Sequence, residues 1–560
     1  MAAQGLFVDW KGKAINKDKH GGAKATRFIY FLVVMMNMAF TPTLLNMVMY
    51  LQTIMHMGIA SSSTTITNLI GVTCAFALVG GFLSDAYITR FKAILIFGPL
   101  EFLGFALLAL QARLPSLRPP ECDAQTSDCK HVHGSNATLL YIAMYVAAFG
   151  EGCLRANLPS LGGDQFDDED STELQLKSSY FNWFTFNLSL GSLLGVLFIT
   201  WIQNNTGWDV GFSVPAGVVL LGVIVVASGF SFYRNQIPKG SPLTRMLQVF
   251  VAAFRNRKLQ FPENEEVLYL EHNKEDMVGE VLPHTKGFKW LDKAFISSRN
   301  TGNWYFCSVS QVEEMKIVLR MLPIFVSAMI GYIPVPQLLT FTITQGNTMD
   351  TRLGKIHISP TSLLAIPIIL QMVILVVYDR FFVPFARRIT GCRTGITHLQ
   401  RVGVGFIATS LASCTGAVIE RKRKRIAEEH GLLDSGNQLP MSVMWLALQF
   451  LALGINDIST FTGLLEFFNT EASRGMKSLG TAIFWCNLGL ASLLGSVLVN
   501  LTNKVTRHGG TGWLEGNNLN RDHLDRFYWL LTVLGLVAFL NYLFWARRYT
   551  YRQHNLGPTS

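Results

Sequence analysis

Seven polar side chains stand inside long apolar stretches of this 560-residue chain: Glu101, Glu151, Arg155, Asp457 and Glu466, with the amides of Asn37 and Gln337. At the centre of a hydrocarbon layer a charge costs at least roughly 2.5–3.5 kcal/mol on insertion scales, so each needs a partner or a task. Glu151 and Arg155 are four apart with the acid first, the order that suits an ion pair on one helix face. Two readings are open. Arg155 neutralises Glu151 within its own helix, or it reaches across to Asp457 in the second half of the chain, in a bridge that forms in one state and breaks in another. A carboxyl that carries protons must alternate between protonated and ionised forms, with burial and a cationic partner acting on it in opposite senses. Asp457, Glu151 and Glu101 are the candidates, and Glu101 also reads as a packing residue. Asn37, Asn46, Gln337 and Gln345 read either as the lining of a substrate path or as interhelical pegs.

These residues are positioned by helices. Half of the chain is apolar and only 15% is charged, against roughly 25% in an ordinary soluble domain. The net charge is 47 − 37 = +10, but charges are too sparse for a nucleic-acid partner. A hydrocarbon core about 30 Å thick needs roughly 20 apolar residues per helix. Twelve such blocks occur, near 28–50, 63–85, 93–113, 139–160, 178–201, 210–232, 318–341, 360–380, 402–419, 442–467, 479–502 and 527–546. Only helices carry that much backbone through lipid with every N–H and C=O satisfied, so the fold class is an all-α membrane protein. Pro42 in block 1 and Pro334 and Pro336 in block 7 are expected to break their helices.

The expected organisation is a cytoplasmic arm at 1–27, a six-helix bundle at 28–232, a charged cytoplasmic linker at 233–316, a second six-helix bundle at 317–546 and a cytoplasmic tail at 547–560. Lys and Arg are concentrated in the loops this orientation puts inside. Arg421 to Arg425 break the rule and read as a solvated extension of block 9 or as an anion funnel. The halves echo each other: Asp85 then Arg90 after block 2, Asp379 then Arg387 and Arg388 after block 8. Such repeats are typical of carriers that rock one bundle against another around a midplane site, and Asp85, Arg90, Asp379 and Arg387 are read as gating or structural groups. In the predicted outer loops, Cys122 and Cys129 are close enough in sequence to pair, and Asn136 and Asn204 head glycosylation sequons.

No catalytic, metal or cofactor motif stands out; Gly403 to Ala408 superficially fits a dinucleotide turn, but no strand precedes it. The expectation is not an enzyme and no cofactor, with a proton gradient as the candidate driving force. The expected partners are a small-molecule substrate and the lipid bilayer, in a monomer or loose dimer.

The motifs sharpen this. Gly80-Gly81-Phe82-Leu83-Ser84-Asp85 to Arg90-Phe91, Gly162-Gly163-Asp164-Gln165-Phe166-Asp167, Phe181-Asn182-Trp183-Phe184, Val312-Glu313-Glu314 to Leu319-Arg320 and Pro323, Leu399-Gln400-Arg401 and Leu465-Glu466-Phe467-Phe468 run across nearly the whole chain. With them the sequence resembles the plant nitrate/peptide transporter family, the plant branch of the proton-dependent oligopeptide transporters within the major facilitator superfamily. Gly431 to Asp434, Trp445 to Gln449 and Phe527 to Leu530 look closest to the subfamily with abscisic-acid and gibberellin carriers. The resemblance implies two six-helix bundles, alternating access and a multi-pass protein, with the plasma membrane favoured over the vacuolar one.

Departures from the family pattern matter. Its E-x-x-E-R/K in helix 1, tied to proton coupling, is here Val33-Val34-Met35-Met36-Asn37. Its helix-4 lysine is Arg155 and its helix-10 acid is Asp457, which makes an Arg155–Asp457 bridge the expected central gate and leaves Glu151 to take over part of the missing acid's role. The histidine of nitrate-carrying members is Val335. An amphipathic organic carboxylate, hormone- or metabolite-like, is the expected cargo. The alternatives are low-affinity nitrate or peptide transport, an uncoupled facilitator or exporter, or a transporter-derived sensor.

Overall fold

The computed structural model describes residues 7–16, 19–120, 134–166, 171–236, 242–259, 284–285, 287–296, 304–353, 356–357, 359–377, 381–390, 396–433, 438–471, 477–507, 512–516, 518–549 and 551. Every apolar block falls on helix. Spans 1 to 4 are Gly22–Thr53, Ile59–Ala86, Arg90–Arg113 and Gly134–Gly163; span 5 is Ser171–Leu194, continued by a π turn, Gly195–Ile199, into Thr200–Asn205; span 6 is Trp208–Ser228. Span 7 is split into Val309–Tyr332 and Pro334–Asn347, and span 8 is the shorter Ala365–Val377. Span 9 is His398–Glu429; span 10 is Ala447–Asn456, a π turn Asp457–Phe461 and Thr462–Glu471; spans 11 and 12 are Lys477–Thr506 and Leu524–Arg548. Among the described residues eleven of these are long and apolar enough to cross a membrane. One apolar core is drawn entirely from residues 25–233, including Val33, Phe97 and Phe212. The other comes mainly from the second half, around Phe406, Phe450 and Phe527.

The prolines behave differently from one another. The break in span 7 falls at Ile333, just before Pro334 and Pro336. Span 1 runs unbroken through Pro42, contrary to the expectation. Pro42 has no N–H to offer the Met38 carbonyl, and its ring crowds that oxygen. Span 5 packs against this point. A Cβ on Gly195 would lie 2.2 Å from the Met38 oxygen and 2.6 Å from Pro42 Cγ, and one on Gly191 would lie 2.5 Å from the Val34 oxygen. Gly195→Val is therefore expected to part spans 1 and 5, at a cost of about 1–3 kcal/mol or more for the overpacking, seen as loss of the monodisperse peak in size-exclusion chromatography.

One end of the molecule carries the described parts of the arm and linker. Phe7–Val8 pairs antiparallel with Asn235–Gln236. Arg234 donates to the His20 carbonyl at 2.9 Å and pairs with Glu173 at 2.8 Å. The linker helix Pro242–Arg255 and residues 289–296 pack Val249, Ala252, Leu291 and Phe295 against Val312 and Met315 of span 7. Beside this patch Lys316 Nζ, fully buried, sits 2.6 Å from Asp292 Oδ1 and 2.7 Å from Glu313 Oε1. His284 reaches the other Asp292 oxygen at 3.2 Å. His284, Asp292 and Glu313 are close enough to hold a metal ion, but the ammonium already stands between the two carboxylates.

The residues read as a repeated gate are only partly described. Arg90 pairs with Asp164 and donates to Gln236 Oε1 at 3.0 Å, tying span 3 to the end of span 4 within one bundle. Asp85 ends span 2 and Arg387 lies in the helix Val383–Thr390; their side chains, and Asp379, Cys122 and Cys129 altogether, lie outside the described residues.

At the opposite, far end the basic run is neither a wholly solvated face nor a funnel. Span 9 does extend to Glu429, but Arg423 is fully buried, bonded to Glu420 at 2.7 Å and to Asn520 Oδ1 at 2.6 Å. Lys424 donates to the Asp522 carbonyl at 2.5 Å, and Lys422 lies 3.5 Å from the Trp445 ring centre. Asp522, outside the spans, accepts from the Gly516 amide with one oxygen, while its other has no donor among the described residues. Burial pushes this carboxyl up to about 7, from roughly 4 in the unfolded chain. Because the folded value is the higher one, the folded state binds the proton more tightly. This contribution to stability is present below about pH 4 and is lost as pH rises through about 7. Asp522→Asn is expected to raise the Tm at about pH 8 and leave it nearly unchanged at about pH 4.5.

The bundles are joined at the far end by hydrogen bonds. Ser63 meets Thr340 (2.6 Å), Gln52 donates to Thr344 (3.1 Å), Thr361 to Asn46 (2.8 Å) and Asn204 to Ser359 (2.8 Å). The Nδ2 of Asn204 that a glycan would occupy is thus engaged in this seam. Asn136, the other sequon asparagine, is half-buried and donates to the Ser116 carbonyl. On the linker-side half a narrow cleft lies between spans 2, 4 and 11, lined by Ala77, Gly81, Ala156, Ser160, Ala482 and Trp485 among others.

Candidate functional site

Where span 4 faces the second bundle, Arg155 projects between two aromatic rings. Its guanidinium carbon lies 5.5 Å from the centre of Phe40 on span 1 and 5.5 Å from that of Trp485 on span 11. A cation between π faces from opposite bundles is a contact the two bundles make jointly. Its Nε donates to Glu151 one turn away, as the four-residue spacing allows, and Glu151 is fully buried. Of the two readings of this pair, the structure has the one within a helix.

The expected Arg155–Asp457 bridge is not made. Among the described residues Asp457 has no cationic partner; its carboxylate accepts one long hydrogen bond, 3.5 Å, from Asn456 Nδ2. The reason is local. Glu151 is fixed on the same helix within reach of Nε, and the guanidinium is flanked by rings. Asp457 begins the π turn of span 10, where the widened backbone re-aims side chains; such turns recur at functional sites. The two charges still share one region. Cys74 on span 2 lies near Arg155, and Tyr332, at the break of span 7, lies near both Cys74 and Asp457.

The guanidinium is only partly occupied. Arg155 has five N–H donors in a planar fork. Nε is committed to Glu151, while among the described residues no acceptor meets Nη1 or Nη2, and the side chain is 25% exposed. A small, mostly apolar gap lies inside the first bundle, between spans 1 to 4, with Phe40, Met47, Leu69, Phe105, Leu108 and Met144 among its walls.

Other residues expected here fall elsewhere. Glu466 pairs with Arg401 and His398 of span 9, each at 3.2 Å, inside the second bundle. Asn37 donates to the Val33 carbonyl of its own helix. Asn46 and Gln345 are interhelical pegs, to Gln203 and Glu420. Gln337 is fully buried with neither amide atom partnered among the described residues, its Nε2 packed on Gly495 of span 11. Glu101 is fully buried beside Glu151. Phe40 and Trp485 escaped sequence reasoning. A tryptophan flanked by Cys486 and Asn487 in an apolar helix was the available signal.

The comparisons agree with this architecture. Residues 91–514 match the family model described as the POT family. The chain is 39% identical to Protein NRT1/PTR FAMILY 4.6 of Arabidopsis thaliana, over 98% of this chain and 97% of that protein, and 40% identical to NRT1/PTR FAMILY 4.5 of the same plant, over 97% and 96%. Among solved structures it is similar to an auto-inhibited POT family peptide transporter (TM-score 0.69, 18% identity, 96% of this chain and 99% of that one). It is also similar to a POT family transporter in complex with 5-aminolevulinic acid (TM-score 0.63, 12% identity, 96% and 100%). Span count, the two-bundle fold and these matches converge: the chain is a multi-pass membrane transporter, not an enzyme, and belongs to the POT family, among its plant NRT1/PTR members.

Proposed function

We propose that the protein carries an amphipathic organic carboxylate through the space between its bundles by alternating access. One observation carries this reading: Arg155 presents two Nη groups with no acceptor among the described residues, at the bundle interface on an aromatic shelf of Phe40 and Trp485. A planar fork suits a carboxylate bidentately, and apolar walls take the rest of the molecule. Nitrate fits less well, because Val335 is buried among apolar neighbours at the position where nitrate-carrying members of the resembled family offer a histidine. An acid of the abscisic or gibberellic kind offers such a carboxylate on an apolar body.

A second reading has its own support. Asp457, without a cationic partner among the described residues, could take the amine of a zwitterion whose carboxylate lies on Arg155. Uptake of labelled abscisic acid, a gibberellin, nitrate and a dipeptide into oocytes, at about pH 5.5 and pH 7.5, separates these readings. Uptake of a carboxylate that survives Asp457→Asn is expected. Uptake of the dipeptide alone, lost in Asp457→Asn, would establish the zwitterion instead; uptake of nitrate alone would overturn both.

A further inference from the structure

The region behind Arg155 has too many carboxyls for its cations. Glu101 on span 3 and Glu151 on span 4 are both fully buried. They meet where the helices cross most closely: a Cβ on Gly150 would lie 2.4 Å from the Glu101 amide nitrogen. The Glu101 side chain leaves its helix against Gly150, next to Glu151, and among the described residues no donor serves either Glu101 oxygen, nor Glu151 Oε2. Ionised carboxylates only accept, so two of them cannot bond to each other without a proton between them. With both ionised and Arg155 charged, the cluster would hold a net −1 in a hydrocarbon interior, a state that buried groups avoid by taking up a proton.

The other groups facing the pair leave this count unchanged. They are Arg155 on the same span and the Cys74 thiol on span 2. Span 6, which packs on span 3 through Val223 at Gly98, has Asp209 as its only acid or base, in its first turn. Span 1 offers Phe40 at this depth, and its buried Val33 and Met36 stand where the resembled family has acids.

We infer that Glu101 and Glu151 share one exchangeable proton, and that this pair is the coupling site through which a proton gradient drives the carrier. With the proton between them, Arg155 is held by one carboxylate through Nε and its Nη edge is open to cargo, the arrangement seen here. When the proton leaves, both carboxylates are ionised, Arg155 is drawn to them, and a bound carboxylate loses its fork. Loading adds one O–H bond, its proton taken from water on the far side, and one carboxylate anion. Unloading returns both on the linker side, so the net charge of the cluster is the same empty and deprotonated as loaded and protonated. Transport of a monocarboxylate would carry no net charge.

The inference rests on the carrier reading only for its role; the shared proton is testable without cargo. Infrared difference spectra of the full-length protein in detergent, between about pH 6 and pH 9, should show the carbonyl stretch of a buried carboxylic acid in the wild type. The band should vanish in Glu101→Gln and in Glu151→Gln and persist in Glu101→Asp, with size-exclusion profiles confirming that each variant is folded. A wild type without the band, or a band that survives in both glutamine variants, overturns the shared proton. In oocytes Glu101→Gln should bring the ratio of carboxylate uptake at pH 5.5 to that at pH 7.5 down to about 1. A ratio unchanged from wild type, with the band lost, would keep the proton and overturn its coupling role. Failure of every compound in the uptake panel would strike the carrier reading and leave the infrared result standing.

Discussion

Arg155→Ala is expected to lower apparent affinity for a carboxylate cargo by roughly 30- to 150-fold. Removing one partner of a desolvated charge pair costs about 2–5 kcal/mol. Arg155 is 25% exposed, which places it at about 2–3 kcal/mol, and each 1.4 kcal/mol is about tenfold. Arg155→Lys keeps the charge and loses the fork and the flat stacking face, so an intermediate loss of about tenfold is expected. The check is concentration-dependent uptake, with surface expression measured in parallel. An alanine variant with wild-type half-saturation would mean that the guanidinium does not hold the cargo.

Lys316→Met is expected to be the most damaging single change at the linker end. It leaves Asp292 and Glu313 facing each other, both almost fully buried, with the cation between them gone. Breaking a buried pair by removing one partner costs about 3–5 kcal/mol, whereas replacing all partners with neutral groups of similar size is often close to neutral. The variant should lower the Tm and speed amide exchange at residues 284–296. Adding Asp292→Asn and Glu313→Gln should restore much of both. If the triple variant is no better than the single, the loss comes from packing and not from stranded charge.

The sequence carried most of the fold because lipid leaves little choice: each block of about 20 apolar residues must be a helix, and among the described residues each of the twelve lies mainly on helix. The break at Ile333 was legible from Pro334 and Pro336, whereas the close packing of Gly195 on the Met38 carbonyl and Pro42 comes from another helix, which spacing along one helix does not reveal. In the candidate site, Glu151 and Arg155 were visible as neighbours. Their preference for each other over Asp457 depended on the π turn at Asp457 and on the rings of Phe40 and Trp485, all set by tertiary packing. The stretch from Val312 to Arg320 was recognisable as a motif, but its reason was hidden, since Lys316 finds Asp292 only once the linker folds back.

The seam at the far end has a bearing on how the molecule moves. Its joints are hydroxyls and amides, Ser63 to Thr340, Thr361 to Asn46 and Asn204 to Ser359. Such groups exchange one another for water at a net cost of only about 0.5–1.5 kcal/mol apiece. Beside them Leu45, Met49 and Ile59 of the first bundle are buried in the second bundle's apolar core, so the seam combines cheap polar joints with greasy contact, and wetting that apolar surface sets most of the work of opening.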